Sequence, residues 1–186
     1  MMKVQTVQPT PNPNAFKFVL DNRVVAHGVK NYTAAAEAKG DPIGQALFAI
    51  EGVDTLFFCE SFVTVSMIES ADWRAVHDEV VKVLESREAP HFAPTHTERD
   101  SATSEHGLTT DSELLQQINE LLDDRVRPAL AGDGGGLEVL GMDGKTLHIR
   151  YQGACGSCPS SVTGTLMAIQ NLIQTEIDES LQVISA

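Results

Sequence analysis

The chain has 186 residues with 13 basic and 26 acidic side chains, so its formal net charge at pH 7 is −13. Proteins that bind nucleic acid or anionic lipid normally present a basic surface, so we predict neither nucleic acid nor a membrane as a partner. No apolar run approaches the roughly 20 residues of a membrane-spanning helix. Three cysteines are too few for a disulfide scaffold, and in a reducing compartment a C-x-x-C pair is typical of metal or redox chemistry.

The first part of the chain predicts three strands and two helices. Its proline-rich opening, "VQPTPNPNAFKFVL", predicts an extended loop that leads into an alternating strand ending at Leu20. Asp41 precedes a short amphipathic helix, and Asp72 precedes a longer one. Between these helices, "DTLFFCESFVTVSMI" predicts two strands, around 56–59 and 62–68, joined by a tight turn.

The segment 88–109, "EAPHFAPTHTERDSATSEHGLT", predicts a flexible linker. It is rich in proline, serine and threonine, and it has little apolar periodicity. The linker divides the chain into an N-terminal domain, 1–87, and a C-terminal domain, 110–186. The three histidines in the linker are interpreted as solvated groups without a metal: His91, His96 and His106.

The C-terminal domain predicts the order helix, strand, strand, helix, strand. Thr110 and Glu113 form a capping box before the first helix, which Pro128 disturbs near its end. A hairpin turns at Asp143-Gly144, and the next helix begins at Pro159. We therefore predict an α+β protein of two small α/β sandwich domains joined by a flexible linker.

The run "AGDGGG" precedes the predicted hairpin. It lacks the Gly-Lys-Ser/Thr ending of a phosphate-binding loop and does not follow a strand. We interpret it as a flexible turn whose glycines adopt positive φ.

The pattern "GACGSCPSS" places Cys155 and Cys158 at an exposed end of the C-terminal domain, just before a helix. Backbone N–H groups at a helix start favour thiolates, and the small neighbouring residues let a loop fold around an ion. These features suit a metal, an iron–sulfur cluster or a redox dithiol.

Ligand arithmetic indicates that one chain does not complete a metal site. A closed zinc site or a cubane cluster usually takes four protein ligands, and this motif supplies two. Cys59 lies in an apolar strand pattern and is interpreted as a buried structural residue. His148 is out of phase with its apolar neighbours and is expected on the other face of its strand. Two chains about a two-fold axis would supply four sulfurs, so we predict that metal binding and dimerisation occur together.

Two alternatives stay open at this point. A zinc-bridged dimer that acts as an interaction module has the same ligand count, because zinc and iron both accept four thiolates. A thiol-disulfide oxidoreductase of the thioredoxin type needs more chain after its cysteines than the 186 − 158 = 28 residues present here. It also needs a later proline opposite the cysteines, and none follows Pro159.

The sequence resembles the Nfu (NifU-like) iron–sulfur cluster carriers over nearly its whole length. "RPALAGDGGG" followed by "GACGSCPSS" is similar to the C-terminal NifU-type domain, and "PTPNPNAFKF" with "LFAIEGVDTLFFCESFVTV" is similar to the Nfu N-terminal domain. Two positions depart from the family pattern. Gly136 stands where members often have aspartate, and Cys59 stands where they often have glycine.

The resemblance implies that Cys155 and Cys158 bind a [4Fe–4S] cluster shared between two subunits of a cluster-loaded homodimer. It further implies an upstream cluster-assembly scaffold as donor, apo iron–sulfur proteins as clients, and no enzymatic activity. The N-terminal domain is then expected to dock targets or to regulate. Because the family motif begins almost at Met1, we expect a cytoplasmic protein, with a bacterial source favoured.

Overall fold

In a computed structural model of the chain, the described residues are 2–88, 90, 112–156 and 159–185. They form two β-sheets, each with helices packed against it, which confirms the predicted α+β class. The predicted linker, 88–109, lies outside the described residues except for Glu88 and Pro90. Within the described part of the chain, no helix is both long enough and apolar enough to cross a membrane.

The first sheet is antiparallel, with strand order β1-β2-β5-β4-β3. Its five strands and two helices are β1 (Val4–Pro9), β2 (Ala15–Leu20), β3 (Val29–Tyr32), α1 (Pro42–Phe48), β4 (Val53–Cys59), β5 (Phe62–Met67) and α2 (Trp73–Ser86). The three predicted strands and both predicted helices are confirmed. The extended loop predicted for the opening is wrong for β1, an edge strand in which Pro9 is tolerated at the end. The short strand β3 was not predicted.

Both helices of this part begin at aspartate caps, as predicted. Asp41 accepts hydrogen bonds from the backbone N–H groups of Ile43 and Gly44 at 3.1 and 3.0 Å, and Asp72 accepts one from Arg74 at 3.0 Å. The helices cover one face of the sheet and form with it a continuous apolar core. Its fully buried members include Phe18, Leu47, Leu56, Phe58, Val63, Val65, Val80 and Leu84.

The second sheet has three strands in the order β6-β7-β8, with β6 antiparallel and β8 parallel to β7. Its elements are α3 (Ser112–Arg125), α4 (Arg127–Gly132), β6 (Gly135–Asp143), β7 (Thr146–Gly153), α5 (Pro159–Glu176) and β8 (Gln182–Ser185). The predicted order is confirmed, with the first helix split in two because Pro128 begins a new helical segment. Glu113 lies in the first turn of α3, whereas its predicted capping partner Thr110 lies outside the described residues.

The core of this second part lies between its sheet and its helices. On β7 the side chains of Leu147 and Ile149 are fully buried, and His148 between them is only half-buried, so its predicted place on the other face is confirmed. The remaining buried members include Ile118, Leu122, Leu130, Leu137, Tyr151, Ile169, Ile173 and Val183.

The two sheets contact each other where β4 and β5 meet the end of β7. Every residue of β5 is buried, although successive side chains of a strand point to opposite faces. The face of the first sheet that turns away from α1 and α2 is therefore covered as well. We call this the outer face and define it by Asn12 of the loop before β2 and by the strand residues Lys17, Asn31, Phe57, Cys59, Phe62, Thr64 and Ser66.

Candidate functional site

The glycine run at the start of β6 shapes one wall of the site. Of the described glycines at 134, 135 and 136, only Gly134 has a positive φ, at 77°. Gly135 and Gly136 are the first residues of β6 and pair with Gly153 and Gln152 of β7. The predicted flexible turn is therefore right for Gly134 and wrong for the next two residues, which are held in the ladder.

Cys155 lies beside Gly135. The N–H of Ala154 donates to the carbonyl of Gly134 at 3.2 Å, and the N–H of Gly156 donates to the carbonyl of Gly153 at 3.0 Å. These bonds fold the segment 153–156, which we call the Cys155 loop, back onto the hairpin.

A side chain at Gly135 would collide with the cysteine in this arrangement. A Cβ atom there would lie only 2.5 Å from Cys155 Sγ, so a glycine is required beside the sulfur. Gly135 is thus part of the cradle that holds the Cys155 thiol.

The prediction that the cysteines lie at an exposed end is wrong for Cys155. Its side chain is only 8% exposed, and it packs against the apolar core of the second sheet. Tyr151 belongs to the same core, where burial, assisted by the negative charge of Cys155, raises the pKa of its phenol to about 12. The physical reason for the low exposure is that the loop folds inward and places Cys155 in the core of the second sheet.

Cys158, the second predicted ligand, lies outside the described residues. Helix α5 begins at Pro159, as predicted. The motif thus leads directly from the Cys155 loop into a helix of 18 residues.

Three polar side chains from the first part of the chain bind backbone atoms around the Cys155 loop. Asn12 Nδ2 donates to the carbonyl of Ala154 at 3.3 Å, and the N–H of Gly153 donates to Asn31 Oδ1 at 3.3 Å. Lys17 Nζ donates to the carbonyl of Ala131 at 2.7 Å, at the end of α4. Lysine is favourable there because the last carbonyls of a helix carry partial negative charge.

Phe57 fills the space between the two sheets. Its side chain is 1% exposed, yet it belongs to neither apolar core. A Cβ atom on Gly136 would lie 2.7 Å from Phe57 Cζ, and one on Gly153 would lie 2.9 Å from Phe57 Cγ. This contact gives a physical reason for the departure at Gly136, because an aspartate there would overlap the ring.

Cys59 lies on the outer face beside Phe57 and is half-buried, so its predicted place in the core is wrong. Leu56 and Phe58 occupy the core side of β4, which leaves Cys59 facing the second sheet. It lines a cleft of about 470 Å³ between the sheets, together with Gly136. Burial, together with the charge of Glu60, raises the pKa of the Cys59 thiol despite the opposing effect of Lys17.

Sequence reasoning missed the covering residues Asn12, Asn31 and Phe57. A signal was present for Phe57, because three large apolar residues in a row on a strand indicate that both of its faces are buried. Searched over the described part of the chain, the side chains of His, Cys, Asp and Glu form no group of three that could hold a metal.

Two family models match the chain. "Scaffold protein Nfu/NifU N terminal" matches residues 4–89, and "NifU-like domain" matches residues 118–184. The first covers the five-stranded sheet and its helices, and the second covers most of the three-stranded sheet and its helices, including Cys155 and Cys158.

Relatives match over almost the whole chain. A Drosophila willistoni protein named "NFU1 iron-sulfur cluster scaffold homolog, mitochondrial" is 36% identical over 179 residues, which cover 96% of this chain and 61% of the relative. The protein of the same name from Drosophila ananassae is 35% identical, with 96% and 62% covered. The chain therefore spans about three fifths of the length of these relatives. Because both names include "mitochondrial", they give no support to the expected bacterial source.

A solved structure is also similar to part of the chain. The solution structure of a NifU-like protein from Saccharomyces cerevisiae is 19% identical, covers 46% of this chain and 76% of its own, and has a TM-score of 0.41. The two family models together span both sheets. The chain belongs to the Nfu family, with an Nfu/NifU N-terminal domain followed by a NifU-like domain.

Proposed function

We propose that this chain is an iron–sulfur cluster scaffold and carrier. It takes a [4Fe–4S] cluster as cargo between two copies of the chain, bound through Cys155 and Cys158, and passes it to apo-proteins. The family descriptions and the names of the relatives support the scaffold role. The observation that carries the proposal is the cradle at Cys155, in which the missing side chain of Gly135 leaves room for the sulfur.

The ligand count supports sharing between two chains. A [4Fe–4S] cluster is usually held by four thiolates, and each chain offers two in its C-x-x-C motif. Cys59 faces the inter-sheet cleft, and its raised thiol pKa disfavours the thiolate form that binds iron. A site of two sulfurs from each chain also suits a carrier, because ligands can be exchanged one chain at a time.

The parts of the chain take different roles in this proposal. Residues 110–186 form the cluster-binding domain, 88–109 the linker, and 1–87 a domain that docks targets or regulates. The partners are an upstream cluster-assembly scaffold as donor and apo iron–sulfur proteins as clients. We assign no catalytic residue, because binding and release of the cargo account for the role.

Anaerobic reconstitution with iron and sulfide tests the proposal. Iron, sulfide and native mass are measured on the full-length wild type, on Cys155→Ala and on the matched control Cys59→Ala. We expect about four irons and four sulfides per dimer in the wild type and in the control. Cys155→Ala is expected to bind none and to stay a monomer, because two of the four ligands are lost.

Three results would contradict the proposal. A monomer that binds zinc but no iron would favour the zinc-bridged module, and a Cys155–Cys158 disulfide that cycles with a thiol substrate would favour an oxidoreductase. Loss of the cluster in Cys59→Ala would overturn the ligand set. The carrier role is tested with an apo-ferredoxin of the [4Fe–4S] type, which should acquire the cluster faster than a chelator removes it.

A further inference from the structure

We propose that the outer face of the N-terminal sheet is a reversible docking surface for the Cys155 loop of its own chain, and that it competes there with a second copy of the chain. In the cluster-free protein the outer face holds this loop in the folded form in which Cys155 is buried in the core of the second sheet. It leaves when two chains pair across the cluster, a step that rests on the proposed function.

The hydrogen bonds between the two parts of the chain converge on the Cys155 loop and on the end of α4. Asn12 binds the carbonyl of Ala154, the residue directly before Cys155, and Asn31 accepts from the N–H of Gly153. Lys17 binds the carbonyl of Ala131 at the end of α4. Each of these bonds joins a side chain of the first part to a backbone atom of the second. The outer face therefore binds the backbone of the folded loop.

The apolar contact converges on the same place. The Phe57 ring lies against Gly136, the second residue of β6, and against Gly153, the last residue of β7. A side chain at either glycine would overlap the ring, so the contact depends on both of them. The packing and the polar contacts together hold the backbone of the loop in the form in which Cys155 lies in the core and is only 8% exposed.

The composition of the interface indicates that docking is reversible. The hydroxyl groups of Thr64 and Ser66 are buried there without a hydrogen-bond partner among the described residues, as is the Oε1 atom of Gln152 opposite them. Burial also lowers the pKa of Lys17, whose ammonium group is withdrawn from water. Each of these groups regains water when the surfaces separate, which favours opening. The cleft of about 470 Å³ shows that the two surfaces do not pack completely.

Pairing of two chains requires the docked domain to move. Four sulfurs from two chains reach one cluster only if each Cys155 leaves the core and faces the other chain, whereas in the docked form the outer face holds the loop folded inward. The predicted linker, 88–109, is long enough for such a movement, since 22 residues span up to about 70 Å when extended. Docking therefore lowers the fraction of chains that are ready to accept the cargo.

The test measures the exposure of Cys155 in the cluster-free, full-length protein. N-ethylmaleimide is added anaerobically, and fragment-ion mass spectrometry follows the alkylation of Cys155 with time. Asn12→Asp replaces the donating amide with a carboxylate that repels the carbonyl of Ala154, while its oxygen still accepts from the N–H of Asn14. We expect alkylation of Cys155 to become at least about tenfold faster than in the wild type.

Two further variants support the reading of that rate. Phe57→Ala removes the apolar contact by an independent change and should accelerate alkylation similarly. Asn171→Asp adds the same charge at an exposed position of α5 and should leave the rate unchanged. Trp73 fluorescence checks that the first sheet and its helices stay folded in each variant.

The outcomes separate this proposal from the proposed function. If Asn12→Asp and Phe57→Ala, both folded, alkylate Cys155 at the wild-type rate, docking is overturned whether or not the chain binds a cluster. If alkylation accelerates but iron and sulfide are loaded at the wild-type rate, competition with pairing is overturned. Faster alkylation together with faster loading and earlier dimer formation is the expected result. Absence of a cluster in every protein, with alkylation still accelerated, would remove the proposed function and leave docking in place.

Discussion

The two faces of the N-terminal sheet are buried to a similar extent but differ in kind. On the helix-covered face, Phe18, Leu56 and Phe58 belong to one continuous apolar core. On the outer face, Phe57 is equally buried, but it shares the surface with Thr64 and Ser66, whose hydroxyl groups have no hydrogen-bond partner in the described part of the chain. Burial alone therefore does not identify a permanent core. Whether its buried polar groups have hydrogen-bond partners distinguishes a permanent core from a surface that opens and closes.

Alanine substitution of the two adjacent phenylalanines on β4 should give the largest difference in stability between the two faces. Phe58→Ala should lower the free energy of unfolding by about 3–5 kcal/mol, because it leaves a cavity in the core. Phe57→Ala should lower it by less than half as much, since the outer face can separate and let water in. Urea unfolding followed by the fluorescence of Trp73, the single tryptophan, measures both. Equal losses would mean that the two faces form one core.

Removal of the buried hydroxyl of Thr64 should have a smaller effect on the unfolding free energy, with the opposite sign. Thr64→Val keeps the shape of the side chain and removes a buried hydroxyl group for which the residues that the structure describes offer no hydrogen-bond partner. We expect the unfolding free energy to rise by about 1–2 kcal/mol and the alkylation of Cys155 to slow. Thr6→Val, the same change at an exposed position of β1, is the control and should have little effect. A loss of stability in Thr64→Val would show that this hydroxyl is satisfied and the face more core-like than we describe.

Substitution of Tyr32 should have the smallest effect on stability, and it tests the core side of β3. It packs edge-on against Phe58 and donates a hydrogen bond to Asp41 at 3.1 Å. Burial, together with the charge of Asp41 and the hydrogen bond to it, raises the pKa of Tyr32 to about 12. The unfolded chain ionises near pH 10 and the folded one only near pH 12, so the contribution of Tyr32 to stability is lost over that interval.

Tyr32→Phe isolates this contribution. At pH 7 the variant should be less stable than the wild type by about 1 kcal/mol, the value of one hydrogen bond. The difference should shrink as the pH rises from 10 to 12, and chemical unfolding at a series of pH values measures it. Tyr151, whose phenol pKa is raised in the same way, is present in both proteins and cancels. A difference that stays constant with pH would contradict the assigned cause.

The sequence predicted the elements better than the contacts between them. The strands β4 and β5 and the capped helices carry their own periodicity and caps, so local patterns were enough. Strand β1 ends in a proline and β3 is four residues long without alternation, so their pairing depends on neighbours in the sheet. Cys155 was identified from its motif, but its burial was not, because the inward fold of the loop depends on contacts of its backbone with Gly134 and with Asn12 and Asn31 of the other half of the chain. The roles of Phe57 and Gly136 follow from the contact between them, which joins two parts of the chain that are distant in sequence.

The low exposure of Cys155 bears on how long an empty carrier survives. Thiols are oxidised according to their accessibility and their thiolate character, and the higher oxidation states of cysteine are irreversible. A cluster-free chain whose Cys155 thiol is buried is protected from oxidation. The same docking that delays loading of the cluster therefore protects the empty protein from oxidation. The strength of docking sets the balance between the rate of loading and the lifetime of the reduced Cys155 thiol.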